Sequence, residues 1–203
     1  MADDAPMTDA RWVSFREGAG TSFGAALPVS LPVGRGWRGG YVRGIESIEA
    51  LDALVLQITD RAGASLGMWQ TDGFSYGIAA ARGDVAIPFV LDVDPSYAPD
   101  AAAEAIARCQ VGSSVAGWRQ HAAQALSAWS VHAPTSLDPL EIDAALQIAG
   151  SDIDAVETWC RMLGMAVPVP REPDADDEAA QVRAALTFAA ERRRLRRSAE
   201  TSW

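Results

Sequence analysis

Residues Gly67–Asp94 read GMWQTDGFSYGIAAARGDVAIPFVLDVD. Apolar and small or polar residues alternate through this run, with two turn signals inside it. Asp72-Gly73 is a two-residue hairpin signal, because a type I′ turn needs positive φ at both central positions. It pairs Trp69 with Tyr76 and Thr71 with Phe74. Gly83-Asp84 suits a type II′ turn and pairs Tyr76 with Leu91, Ile78 with Phe89 and Ala80 with Ile87. The two registers agree on one face, made of Trp69, Phe74, Tyr76, Ile78, Val85, Ile87, Phe89 and Leu91. A one-residue slip would split that face, so a three-stranded antiparallel meander with this register is expected. Ser75, Gly77, Ala79, Ala81 and Ala86 fall on the other face. Residues this small suit a surface covered closely by another layer, or a sheet lying open.

Upstream, SIEALDALVLQITDRAG reads as an amphipathic helix. Ile48, Leu51, Val55 and Ile58 recur at helical spacing, Ser47 caps the start and Gly63 ends it. RWVSF and AALPVSLPV are strand-like, and Pro28 and Pro32 keep the second at an edge or in a loop. VGRGWRGGYVRG, residues 33–44, holds five glycines and reads as a mobile loop or irregular hairpin. A Gly-rich loop can cradle phosphate, but this one lacks GxGxxG and the strand-to-helix setting that phosphate binding uses.

Downstream the pattern is helical. PDAAAEAIARCQ is one helix. SSVAGWRQHAAQALSAWSVHA is a second, with Val115, Trp118, Ala122, Ala125 and Trp129 on one stripe. Asp138-Pro-Leu-Glu141 is a capping box opening a third helix to Ala149. A fourth, capped by Ser151, carries Ile153, Val156, Cys160 and Leu163 and closes at Gly164. VPVPREPDADDE reads as a linker before a last helix over about 176–199. The expected fold class is α+β: a β-meander packed by helices, a helical C-terminal half and a C-terminal arm helix. Residues 1–168 form one domain, and 169–203 are linker plus arm.

Composition narrows the function. The chain has 203 residues and a formal net charge of -10, an acidity that disfavours a nucleic-acid partner and favours a basic one. All 17 basic residues are Arg, which excludes a lysine Schiff base or a Walker lysine. Cys109 and Cys160 lack CxxC partners and read as small buried hydrophobes of a reduced, cytoplasmic chain. The start, MADDAPMTDA, has no signal-peptide core, and no apolar run reaches membrane-span length. His121 and His132 are the only histidines and show no metal-ligand spacing. No cofactor or metal is therefore expected.

FVLDVDPS resembles the nucleophile loop of the haloacid-dehalogenase phosphatases. That resemblance implies a nucleophilic Asp92 and an acid/base Asp94. The family's motif sits near the chain start on a parallel central strand, with a later lysine. Here it lies mid-chain, after an antiparallel strand, in a chain without lysine. Asp94-Pro95-Ser96 is also an ordinary turn opener, and Arg82-Gly83-Asp84 is explained by the hairpin turn. The run LSAWSVHAPTSLDPLEIDAAL resembles small uncharacterised bacterial α+β proteins over about residues 45–165, which implies a fold grouping and no activity. Toxin-immunity proteins are similar in kind: small, acidic, cytosolic and without catalytic residues.

Of the seven tryptophans, Trp69, Trp118, Trp129 and Trp159 fall at core-facing phases. Trp37, in the Gly-rich loop, and Trp203, near the end, do not; exposed Trp is typical of interface hot spots. Arg192, Arg193, Arg194, Arg196 and Arg197 concentrate positive charge at one end of a helix that opens with Asp176, Asp177 and Glu178, which complements the helix dipole. The reading that follows is a non-enzymatic protein-interaction module, an immunity, adaptor or assembly protein. It would bind another protein or a second copy of itself through Trp37, these arginines and Trp203. Two alternatives stand beside it: a small enzyme or ligand-binding domain using loop 34–44 with Asp92 and Asp94, and a nucleic-acid-associated protein using the Arg-rich tail.

Overall fold

A computed structural model describes residues 10–18, 23–71, 74–83, 86–93, 99–109, 115–145 and 160–165. Strands β1 (Ala10–Arg16), β2 (Leu31–Gly34), β3 (Trp37–Tyr41), β4 (Ala64–Thr71), β5 (Phe74–Ala81) and β6 (Ile87–Val93) form one antiparallel sheet in the order β2-β3-β1-β4-β5-β6. Helices α1 (Ile48–Ala62), α2 (Pro99–Cys109), α3 (Val115–Ser130) and α4 (Pro139–Ala145) complete an α+β fold.

Helices cover both sheet faces. On one, Val13, Phe15, Trp69, Tyr76, Ile78 and Ala80 pack under α1 and α2. On the other, Trp12, Leu66, Met68, Ala79, Ala81 and Phe89 meet α3, α4 and segment 160–165. Helix α1 forms as its pattern requires. Ser47 Oγ accepts from the Ala50 N–H at 3.2 Å, and the Gly63 N–H donates to the Thr59 carbonyl at 2.8 Å. Its buried stripe of Ile48, Leu51, Leu54, Val55 and Ile58 contributes about 1.5–3 kcal/mol per side chain.

The first hairpin has the expected register, with Trp69 opposite Tyr76 and Thr71 opposite Phe74. The second does not. Gly77 faces Phe89, Ile78 faces Pro88 and Ala79 faces Ile87, and the register shifts between Ser75 and Tyr76. Ile78 and Phe89 therefore belong to opposite cores, and the single buried face expected from the sequence is split between two. The physical reason is the second helical layer. With both faces buried, alternation no longer penalises the slip. The small-residue face is covered rather than open: Ser75, Ala79 and Ala81 are buried, and Trp129 Nε1 donates to the Ala80 carbonyl at 2.9 Å.

Residues 33–44 form an irregular hairpin, β2–β3, with a two-residue turn. Arg35 and Gly36 both take positive φ, 42° and 81°, and a register shift follows Pro32. The hairpin turns the Trp37 side chain into the α3 side of the core. There it is fully buried, 6.0 Å from the Trp129 ring. The expectation of an exposed Trp37 is thereby overturned, because an indole buries 150–250 Å² in such a contact, a typical figure of about that size for a large aromatic.

Helix α4 opens at the expected cap, with Asp138 Oδ1 accepting from the Leu140 N–H at 2.7 Å; its expected end at Ala149 lies outside the described residues. Segment 160–165 closes at Gly164 in a Schellman motif: the Met165 N–H donates to the Cys160 carbonyl at 2.8 Å and the Gly164 N–H to that of Arg161 at 3.0 Å, while the expected start of that helix at Ser151 lies outside the described residues. Cys109 and Cys160 are buried, and neither forms a disulfide. The 168/169 boundary, the linker and the arm helix lie outside the described residues. Among the described residues no helix is long and apolar enough to cross a membrane.

Candidate functional site

The densest polar cluster lies where α1 and α2 meet the sheet. Glu49 and Asp52 sit three residues apart on α1, and so project on one side of it. Glu104 and Arg108 are an i, i+4 pair on α2. Tyr76 rises from β5 between them. Asp52 Oδ1 accepts from the Tyr76 hydroxyl at 3.0 Å, and Asp52 Oδ2 accepts from Arg108 at 2.8 Å. The same guanidinium reaches Glu49, and Glu104 at 3.5 Å. Three carboxylates thus converge on one arginine.

Burial raises the Asp52 carboxyl above its ordinary range, partly offset by the Tyr76 hydroxyl and the Arg108 charge. Burial also pushes the Tyr76 phenol up, with Asp52 adding to it. The Glu49 carboxyl is held down at about 2, first by its hydrogen bond with Glu104 and then by backbone and Arg108. That shared hydrogen bond raises Glu104 in turn. Cys109, beside this cluster, is pushed up to about 12 by burial, with the Asp52 charge adding, so its thiol keeps its proton at neutral pH. The arrangement fastens α2 to α1 and to the sheet, and both Asp52 oxygens are used in doing so.

Of the residues singled out from the sequence, neither Trp37 nor Asp92 belongs to this cluster. Trp37 is in the opposite core. Asp92 lies on β6, paired with Ser75, on an edge strand of an antiparallel sheet rather than a central parallel one. Asp94, Arg192, Arg193, Arg194, Arg196, Arg197 and Trp203 lie outside the described residues. Within loop 34–44, packing accounts for Gly39 and Gly40, where an added β-carbon would meet the Trp12 ring at 2.6 Å and the Val29 carbonyl oxygen, and positive φ for Gly36 and Gly44. Among the described residues, no group of three His, Cys, Asp or Glu is placed to hold a metal ion.

Sequence reasoning missed the cluster itself. Its legible part was the Glu104/Arg108 spacing; the Asp52 to Tyr76 contact spans 24 residues and exists only in the fold.

No family model, curated protein or solved structure matches this chain. The functional reading therefore rests on the residues themselves.

Proposed function

We propose that this chain is a non-enzymatic protein–protein interaction module, an immunity, adaptor or assembly protein of a bacterial system. One observation carries the reading. The best-placed acidic group, Asp52, has each oxygen engaged by a neighbouring side chain, so the cluster is spent on holding helices. The sheet edges favour association through helical surfaces. Edge strand β2 carries Pro32 and a register shift, and edge strand β6 carries Pro88 and a shift in its ladder. Proline and bulges are the devices that discourage edge-to-edge pairing.

The partner is another protein or a second copy of this chain. The test is cross-linking in the native host with mass spectrometry, followed by binding of the purified pair. Direct binding at one stoichiometry is expected. Turnover of phosphoester substrates by the purified chain, lost in Asp92→Asn with Asp94→Asn, would replace the reading with the phosphatase alternative. Retention of DNA or RNA that is lost on removing residues 171–203 would replace it with the nucleic-acid one.

A further inference from the structure

Helix α2 is held differently from α1. Helix α1 buries Ile48, Leu51, Leu54, Val55 and Ile58. In α2, PDAAAEAIARC, the one large apolar residue is Ile106, and it is only partly buried. Among the described side chains of α2, Ala105 and Cys109 alone are buried. An alanine and a cysteine remove little apolar surface from water, so burial contributes far less at α2 than at α1. The helix also lies at the margin of the sheet. It covers β5 and β6, and β6 is an edge strand, so α2 can leave without parting any strand pairing.

What fastens α2 is polar. Arg108 reaches Asp52 at 2.8 Å, and Glu49, Asp52 and Glu104 all draw on its one guanidinium. The Arg108 and Asp52 side chains are 28% and 20% exposed. Glu49 and Glu104 are 58% and 44% exposed, and water screens their share of the contact. When the helix leaves, water replaces the hydrogen bonds of Asp52 and Arg108, so opening costs far less than unfolding the sheet.

We propose that α2 is a latch, which leaves β5 and β6 as a unit while the sheet and α1 stay folded, and that Arg108 sets its closed population. Opening releases the Asp52 side chain from Arg108 and bares the sheet face around Tyr76. The latch is a conformational device of the fold and does not rest on the interaction reading.

Cys109 reports on it. This residue lies on the buried side of α2, so its thiol meets a reagent only when the helix is off the sheet. Cys160, buried in the opposite core, is the reference. The full-length chain is alkylated with iodoacetamide in increasing, sub-denaturing urea, and each cysteine is read by peptide mass spectrometry. Cys109 should react at a rate nearly independent of urea, because opening α2 exposes little surface. Cys160 should follow the steep urea dependence of global unfolding seen by circular dichroism. Arg108→Gln should speed Cys109 at least about 10-fold and leave Cys160 unchanged. Arg108→Lys, which keeps the charge and loses the fork, should fall between Arg108→Gln and wild type. One steep urea dependence shared by both thiols would mean that α2 leaves only with the whole fold, and the latch is then wrong. A Cys109 rate unmoved by Arg108→Gln, or an equal acceleration of both thiols, overturns it as well.

Discussion

The ring of Phe89 on β6 lies over the Cα of Gly77, its directly paired residue on β5. A β-carbon added at Gly77 would meet Phe89 Cζ at 2.3 Å. The pair works as knob and hole: Gly77 leaves the space, and Phe89 fills it beneath α3. Glycine in a strand interior is unfavourable by itself and here marks a close approach.

Gly77→Ala should therefore destabilise the fold by about 1–3 kcal/mol through overpacking. Phe89→Ala should cost about 3–5 kcal/mol by leaving a cavity. Gly77→Ala combined with Phe89→Leu should be less harmful than the sum of its parts, because the smaller side chain makes room. Chemical denaturation checks all three, and strict additivity would contradict the knob-and-hole relation.

The Asp52 cluster gives a second outcome. Tyr76→Phe removes one donor from a half-buried carboxylate and should cost about 1–3 kcal/mol, the penalty of an unsatisfied buried group. Asp52→Asn should cost less than Asp52→Ala, since the amide still offers Tyr76 an acceptor. Thermal melts at neutral pH provide the comparison. Equal losses for Asn and Ala would show that the hydrogen bond contributes little.

Acid titration separates the carboxylates by sign. Glu49 is held at about 2 in the folded chain, below its ordinary range. Its contribution is complete above the unfolded pKa, near 4.3 as a typical value for Glu of about that size, and is lost as pH falls through the folded one. Asp52 and Glu104 are raised, so protonation relieves rather than removes a favourable state. The melting-temperature deficit of Glu49→Gln against wild type should thus be largest near neutral pH and shrink toward pH about 2. A deficit constant across that range would contradict the assignment.

Trp129 supplies a fourth check. Its indole N–H bonds the Ala80 carbonyl, and its ring lies against Trp37. Trp129→Phe should cost about 1–3 kcal/mol for the unmatched carbonyl. It should also change the near-ultraviolet circular dichroism of the Trp37–Trp129 pair. A variant unchanged in both respects would argue against Trp37 being inside.

Legibility in the sequence followed the range of the governing interaction. Helix α1, with Ser47 at one end and Gly63 at the other, was readable because its cap, stop and stripe all lie within 17 residues. The Trp69–Tyr76 register was readable because only two residues separate Thr71 from Phe74, its partner across the ladder. Pro32 marked an edge strand by the bond it cannot donate. Trp37 was misread because glycines on both sides resemble a loop, whereas Gly36 takes a positive φ in the hairpin turn and Gly39 admits close packing by Trp12. The joining of β1 and β3 to the meander left no local trace, since β1 pairs with β3 and β4 across long separations.

The sequence by itself determined the α+β class, both ends of α1, the first hairpin and the small-residue face of β5, all of them set by neighbours along the chain. Only the tertiary structure decided the six-strand order, the second register, the burial of Trp37 and the meeting of Asp52, Tyr76 and Arg108. The reason is burial on both faces. Once α1 and α2 cover one side and α3 and α4 the other, apolar side chains are accepted on either side. Register is then chosen by which large side chain finds a hole, as Phe89 finds Gly77, and that is a property of packed layers rather than of any one stretch of chain.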